Sequence, residues 1–187
     1  DVRIATHSGE YVAPPLRIPD RERVRVLLPR RLETDELAHI LVSFRAPIDH
    51  SMRGYYYSTW RHNGESGHYA LTQFEPTSAR RAFPCWDEPS HKATYTFRML
   101  HRTNTTALAN MPSVRSQHVD AAQVAKLLHI DDLHLDMPAL GDDSWTLTEF
   151  AKTPKMSTYL VAWANGVFRY IEGAYTCLLY TSPSPRD

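Results

Sequence analysis

The chain has little sulfur, no excess of charge of either sign and no long apolar run. Two cysteines, Cys85 and Cys177, stand in 187 residues. That is too few for a disulfide framework and suits a reducing compartment, so a cytoplasmic location is expected. Lys and Arg together number 21, as do Asp and Glu, so the formal net charge is 0. A nucleic-acid binder ordinarily carries a basic excess, and no nucleic-acid partner is expected. The nearest approach to a charge block is Arg21–Arg31, where five arginines alternate with apolar residues. That spacing predicts the solvent face of a strand. No apolar stretch reaches the ~18 residues of a membrane span. The opening residues, Asp1–Glu10, are polar rather than leader-like. With 42% hydrophobic and 22% charged residues, the composition is that of a globular domain with its own core.

What is present is mostly period-two alternation, the mark of strands with two unlike faces. Strands are predicted at Arg23–Leu28, around Ile40–Phe44, at Tyr55–Trp60, His68–Phe74, Ala93–Leu100, Thr105–Met111 and Trp145–Phe150. Another is predicted in Tyr159–Ile171, broken at the turn signal Asn165-Gly166. Tyr55–Trp60 and His68–Phe74 read as a hairpin with a longer loop over Arg61–Gly67. Only Val119–His129 spaces its apolar residues (Val124, Leu127, Leu128) helically. It lies in a polar stretch, Ser113–Ser144, read as a surface insertion. The fold class predicted is therefore all-β and multi-sheet, with one short helix.

Ten histidines raise the question of a metal. A zinc site of the H-E-x-x-H type needs two imidazoles on one helix face with a general base between them. No such pentapeptide occurs in the sequence. His129 and His134 are five apart, wrong for one helix face, and His62 and His68 flank a loop. No catalytic residue and no metal ligand is therefore assigned in this chain. The last residues, Cys177–Asp187, follow no pattern set up before them. They are expected to be a non-native translated tail, leaving 1–176 as the domain.

Three blocks carry a resemblance. The first is Thr72-Gln73-Phe74-Glu75 followed by Ala79-Arg80-Arg81-Ala82-Phe83-Pro84-Cys85-Trp86-Asp87-Glu88-Pro89. The second is Ala107-Leu108-Ala109-Asn110-Met111. The third is Thr153-Pro154-Lys155-Met156-Ser157-Thr158-Tyr159-Leu160-Val161-Ala162. In composition, order and spacing they resemble the N-terminal domain of M1 zinc aminopeptidases. The resemblance implies a saddle-like β domain packed on a catalytic domain of the same polypeptide. It also implies a parent enzyme that uses zinc to release N-terminal residues from peptides. The fragment would supply one cleft wall and, lacking the zinc site, be inactive alone.

The resemblance further implies that Gln73 lines the pocket for the first substrate side chain and that Glu75 helps to bind the substrate's α-ammonium. On pattern alone, the same two residues also fit the solvated polar face of an edge strand. Around the Phe83-Pro84-Cys85-Trp86 turn, Arg80, Arg81, Asp87 and Glu88 are expected to pin the loop through arginine–carboxylate pairs. Cys85 is expected to be a packed, inert thiol. Other readings of the whole chain are a non-catalytic M1-like scaffold and a free-standing binding domain.

Overall fold

The computed structural model describes residues 2–18, 22–127 and 144–168. Within them, the strand ladders are all antiparallel and fall into four sheets. The strands β1 (Val2–Thr6), β2 (Gly9–Val12) and β5 (Ala38–Val42) form one sheet in the order β2-β1-β5. A separate ribbon pairs β3 (Pro15–Ile18) with β4 (Arg23–Val26). The four-stranded sheet β6-β7-β12-β9 comprises β6 (Gly54–His62), β7 (Glu65–Gln73), β9 (Thr106–Ala109) and β12 (Trp163–Gly166). The last sheet, β10-β11-β8, contains β8 (Arg98–Arg102), β10 (Ser113–Val119) and β11 (Trp145–Phe150). One short helix, α1 (Ala121–Leu127), completes the set. The fold is all-β, as predicted.

Three of the sheets bury a small apolar cluster each, and the β3–β4 ribbon packs Val26 against the first. Val2, Ile4 and Ala13 form one, with Val26 and Val42 against it. This explains the arginine-rich stretch: β4 holds the core through Val26 alone, and Val24 is exposed beside its arginines. The loop after β4 is strapped by Glu36, whose side chain is buried and accepts from the Arg30 guanidinium and from Glu33 N–H at 2.9 Å. Those bonds, Arg30's foremost, hold the Glu36 carboxyl down to about 2. A carboxylate with a depressed folded-state pKa contributes stability above its ordinary pKa and loses it in acid. The β1–β2–β5 sheet should therefore loosen between about pH 4.5 and about pH 2. Amide exchange confined to that sheet would report it, and Glu36→Gln should flatten the transition.

Four predicted elements come out differently. The β6–β7 hairpin is closed not by a long loop but by Asn63-Gly64 alone, with His62 opposite Glu65. Both turn residues have positive φ, 50° and 82°, the requirement of a type I′ turn that matches strand twist. Conversely, Asn165-Gly166 is no turn. It lies inside β12, where Asn165 Nδ2 donates to Thr105 Oγ1 at 2.9 Å. Gly166 is needed because a Cβ there would sit 2.5 Å from Tyr69 Cβ on β7. The break falls earlier, at a 3-10 turn, Thr158–Leu160.

Over Ala93–Leu100, alternation predicts one face of Ala93, Tyr95, Phe97 and Met99. It turns inward at Tyr95, Phe97 and Met99 but not at Ala93, which is exposed, and regular pairing starts only at Arg98. Upstream, Tyr95 N–H donates to Thr153 Oγ1 at 2.9 Å rather than to a carbonyl. Finally, Ser113–Val119 is no insertion but β10, paired along β11 with its polar face in solvent. The predicted helix does follow it, starting at Ala121 rather than Val119. Asp120 and Gln123 cap it reciprocally at 2.7 and 3.0 Å, a capping box. Val124 is fully buried against Val119 and Leu147. Leu128, His129, His134, Ile171 and the stretch 177–187 lie outside the described residues.

Candidate substrate-facing strand end

β7 carries the chain to Gln73, which pairs with Gly54 of β6. Phe74 then turns inward and is 2% exposed, while Gln73 and Glu75 on either side of it are exposed. The predicted alternation is thus present, although Glu75 stands two residues beyond the end of the ladder. The chain reverses at once: Ser78 N–H donates to Phe74 C=O at 2.7 Å, and a 3-10 turn follows at Ala79–Arg81. The Gln73 amide donates to Glu75 C=O at 3.4 Å. Among the described residues, no side chain pairs with the Glu75 carboxylate. It is left available to a cation from outside.

Beneath this strand end is a cluster of aromatic rings. Trp163 of β12 meets Phe74 edge-on at 5.2 Å, stacks on Phe97 at 5.0 Å, and touches Phe83 at 5.8 Å and Tyr55 at 5.5 Å. Such pairs contribute about 0.5–1.5 kcal/mol each beyond area burial. Phe74, Ala79 and Val161 form its buried centre.

The three sequence blocks, far apart in the chain, are tied together here by short polar contacts. Thr72 Oγ1 accepts from Trp163 N–H at 3.1 Å. Asn110 clamps the approach to β12 from both sides, donating to Leu160 C=O at 2.9 Å and accepting from Ala162 N–H at 2.7 Å. Thr158 Oγ1 donates to Trp86 C=O at 2.8 Å, which leaves the Tyr95 hydroxyl to donate to Thr158 at 2.7 Å. Ser157 Oγ donates to Pro89 C=O at 2.6 Å. Sequence reasoning assigned no role to Asn110, Ser157 or Thr158. The available signal was a short polar side chain within otherwise apolar blocks.

The arginine–carboxylate expectation holds for one pair. Arg80 Nε donates to Asp87 Oδ2 at 2.8 Å, its Nη2 donates to Asp87 C=O at 3.1 Å, and its backbone N–H reaches the same carboxylate at 3.2 Å. Asp87 is buried, and its hydrogen bond raises the Arg80 pKa further. Arg81 and Glu88 are exposed and form no pair with each other. Trp86 contributes its carbonyl, with its indole mostly in solvent. Burial first, and Asp87 second, push the Cys85 thiol up to about 12, so it is the inert thiol expected.

Among the described residues, no group of three or more His, Cys, Asp or Glu side chains is placed to hold a metal. The residues present here do not fit a zinc site. No helix among them is long and apolar enough to cross a membrane.

An all-β domain with an acidic strand end presented over an aromatic core is the class of module these features define. Residues 7–129 match the Peptidase M1 N-terminal domain family, and the chain belongs to that family. It is 32% identical over 165 residues to aminopeptidase M1 of Arabidopsis thaliana, covering 88% of this chain and 16% of that protein. Against aminopeptidase A of Gloydius brevicauda it is 38% identical over 131 residues, covering 70% and 11%. The thyrotropin-releasing hormone-degrading ectoenzyme of Rattus norvegicus is 31% identical over 154 residues, covering 82% and 12%. The chain thus spans only 11–16% of the length of these relatives.

Proposed function

We propose that this chain is the N-terminal domain of a zinc aminopeptidase and that it supplies one wall of the substrate cleft. In this reading Gln73 borders the pocket for the first side chain, and Glu75 receives the α-ammonium of a peptide substrate. One observation carries it: Gln73 and Glu75 stand exposed on either side of a buried Phe74, on a strand end fixed from three separate parts of the chain. An exopeptidase must recognise a chain end, and that end is a cation. A fixed carboxylate in a partly dry cleft binds it and disfavours internal peptide bonds, which carry no charge.

Zinc belongs, on this account, to the catalytic domain of the same polypeptide. Exposed apolar side chains at Leu108 and Leu160, beside this strand end, suit a surface that docks on that domain. Zinc would there polarise the scissile carbonyl and activate a water. Without that domain this chain would have no activity.

The test uses the full-length protein and an aminoacyl amide with a free amine. Release of the N-terminal residue should be abolished by a chelator and restored by added zinc. A non-catalytic M1-like scaffold would show no release, and activity indifferent to chelation would equally end the proposal.

A further inference from the structure

The sequence contains four asparagines, and Asn104-Thr105-Thr106 is its single Asn-x-Ser/Thr triplet. The other three lack the triplet, and two of them spend their side chains on the fold. Asn63 has the positive φ of the β6–β7 turn. Asn110 clamps Leu160 and Ala162, and Asn165 donates to Thr105 and to Thr106 C=O. Asn104 differs. It lies in the turn joining β8 to β9, closed by Thr105 N–H donating to Arg102 C=O at 2.9 Å. It is exposed, and its side chain makes no hydrogen bond among the described residues. The one triplet of the required form therefore carries an exposed asparagine whose amide makes no hydrogen bond among the described residues, whereas Asn63, whose amide is likewise unbonded there, is followed by Gly64-Glu65 and has no triplet.

We propose that Asn104 is an acceptor for an N-linked glycan. The amide Nδ2 would bond to the anomeric carbon of a lipid-pyrophosphate-linked oligosaccharide. The bond from that carbon to the phosphate oxygen breaks, the lipid pyrophosphate leaves, and the amide gives up one proton to solvent. The Thr106 hydroxyl completes the triplet that the transferring enzyme reads, and Thr105, not being proline, is permitted between. Transfer precedes folding, so the folded domain must accommodate the bulk, and an exposed turn does so.

The site is also compatible with the proposed cleft wall, although it does not depend on it. Thr106 is level with Gly166 and Tyr69 across the sheet, whereas Gln73 is four residues further along β7. That separation is roughly 13 Å at the strand rise, and Asn104 lies beyond the far end. A glycan there would leave Gln73 and Glu75 open. It also places the chain on the secretory route, against the cytoplasmic expectation from its cysteine content.

The test is on the native full-length protein from the cells that make it. Peptide-N-glycosidase F should convert Asn104 to aspartate in the tryptic peptide Thr103–Arg115, leaving Asn110 in the same peptide unchanged. Re-expressed in those cells, Asn104→Gln and Thr106→Ala should both lose the glycan completely, while Thr105→Ala should retain it. Since transfer precedes folding, a poorly folding variant still reports. Recovery of Thr103–Arg115 solely as the unmodified peptide before enzyme treatment would overturn the proposal. So would a glycan that survives Thr106→Ala.

Discussion

Replacing Phe74 by alanine should destabilise the domain by about 3–5 kcal/mol, the range for deleting a buried aromatic side chain. Phe74 is 2% exposed and is packed against Ala79 and Val161, with Phe83 and Trp163 rings at 5.9 and 5.2 Å. The cavity cannot readily collapse. Its neighbours are held by Asn110 and Thr158 and by the Arg80–Asp87 pair. For a chain of this size the thermal midpoint should fall by roughly 6–20 °C. Leu108→Ala, which removes a 47%-exposed side chain, should stay within about 0.5 kcal/mol. Equal midpoints for the two variants would show that the rings around Trp163 are not the stabilising centre.

The second large effect concerns function. Glu75→Ala in the full-length protein should cost about 2–5 kcal/mol of transition-state binding. That is a loss in kcat/KM of about 30-fold to a few thousand-fold. The reason is asymmetry: once the carboxylate is gone, the substrate ammonium is still desolvated but has no partner. Glu75 makes no side-chain bond that supports the described fold, so its removal should leave the thermal midpoint nearly unchanged. A Phe74→Ala enzyme, in contrast, should lose both, because Phe74 anchors the residues on either side of it.

What was legible in the sequence follows from which signals are local. Alternation revealed the β class and three of the four residues of one face, Tyr95, Phe97 and Met99 but not the exposed Ala93, because a strand's two faces are written directly into its sequence. The motif blocks revealed the family. Two local inferences failed, and one set of contacts went unseen, for reasons of tertiary context. Asn-Gly is a turn signal only where both residues can take positive φ. That holds at Asn63-Gly64 but not at Asn165-Gly166, where the glycine admits Tyr69. β10 was hidden because a strand exposed along most of its length reads as a polar loop. The clamp formed by Asn110, Ser157 and Thr158 was invisible for another reason. It joins residues 50 to 72 positions apart, and no periodicity encodes such a contact. The pairing of Arg80 with Asp87, only seven residues apart, was legible for the opposite reason.

The central claim is that the end of β7 reads a substrate amine. It is tested most directly by comparing wild type and Glu75→Ala, full length, against two otherwise identical inhibitors, one with the α-amine and one without. The account predicts that wild type strongly prefers the amine-bearing ligand and that the variant loses most of that preference. It also predicts that both proteins bind the amine-free ligand about equally. If the variant discriminates as well as wild type, Glu75 is only a solvated residue at a strand end, and the proposed role of this domain in the cleft is wrong.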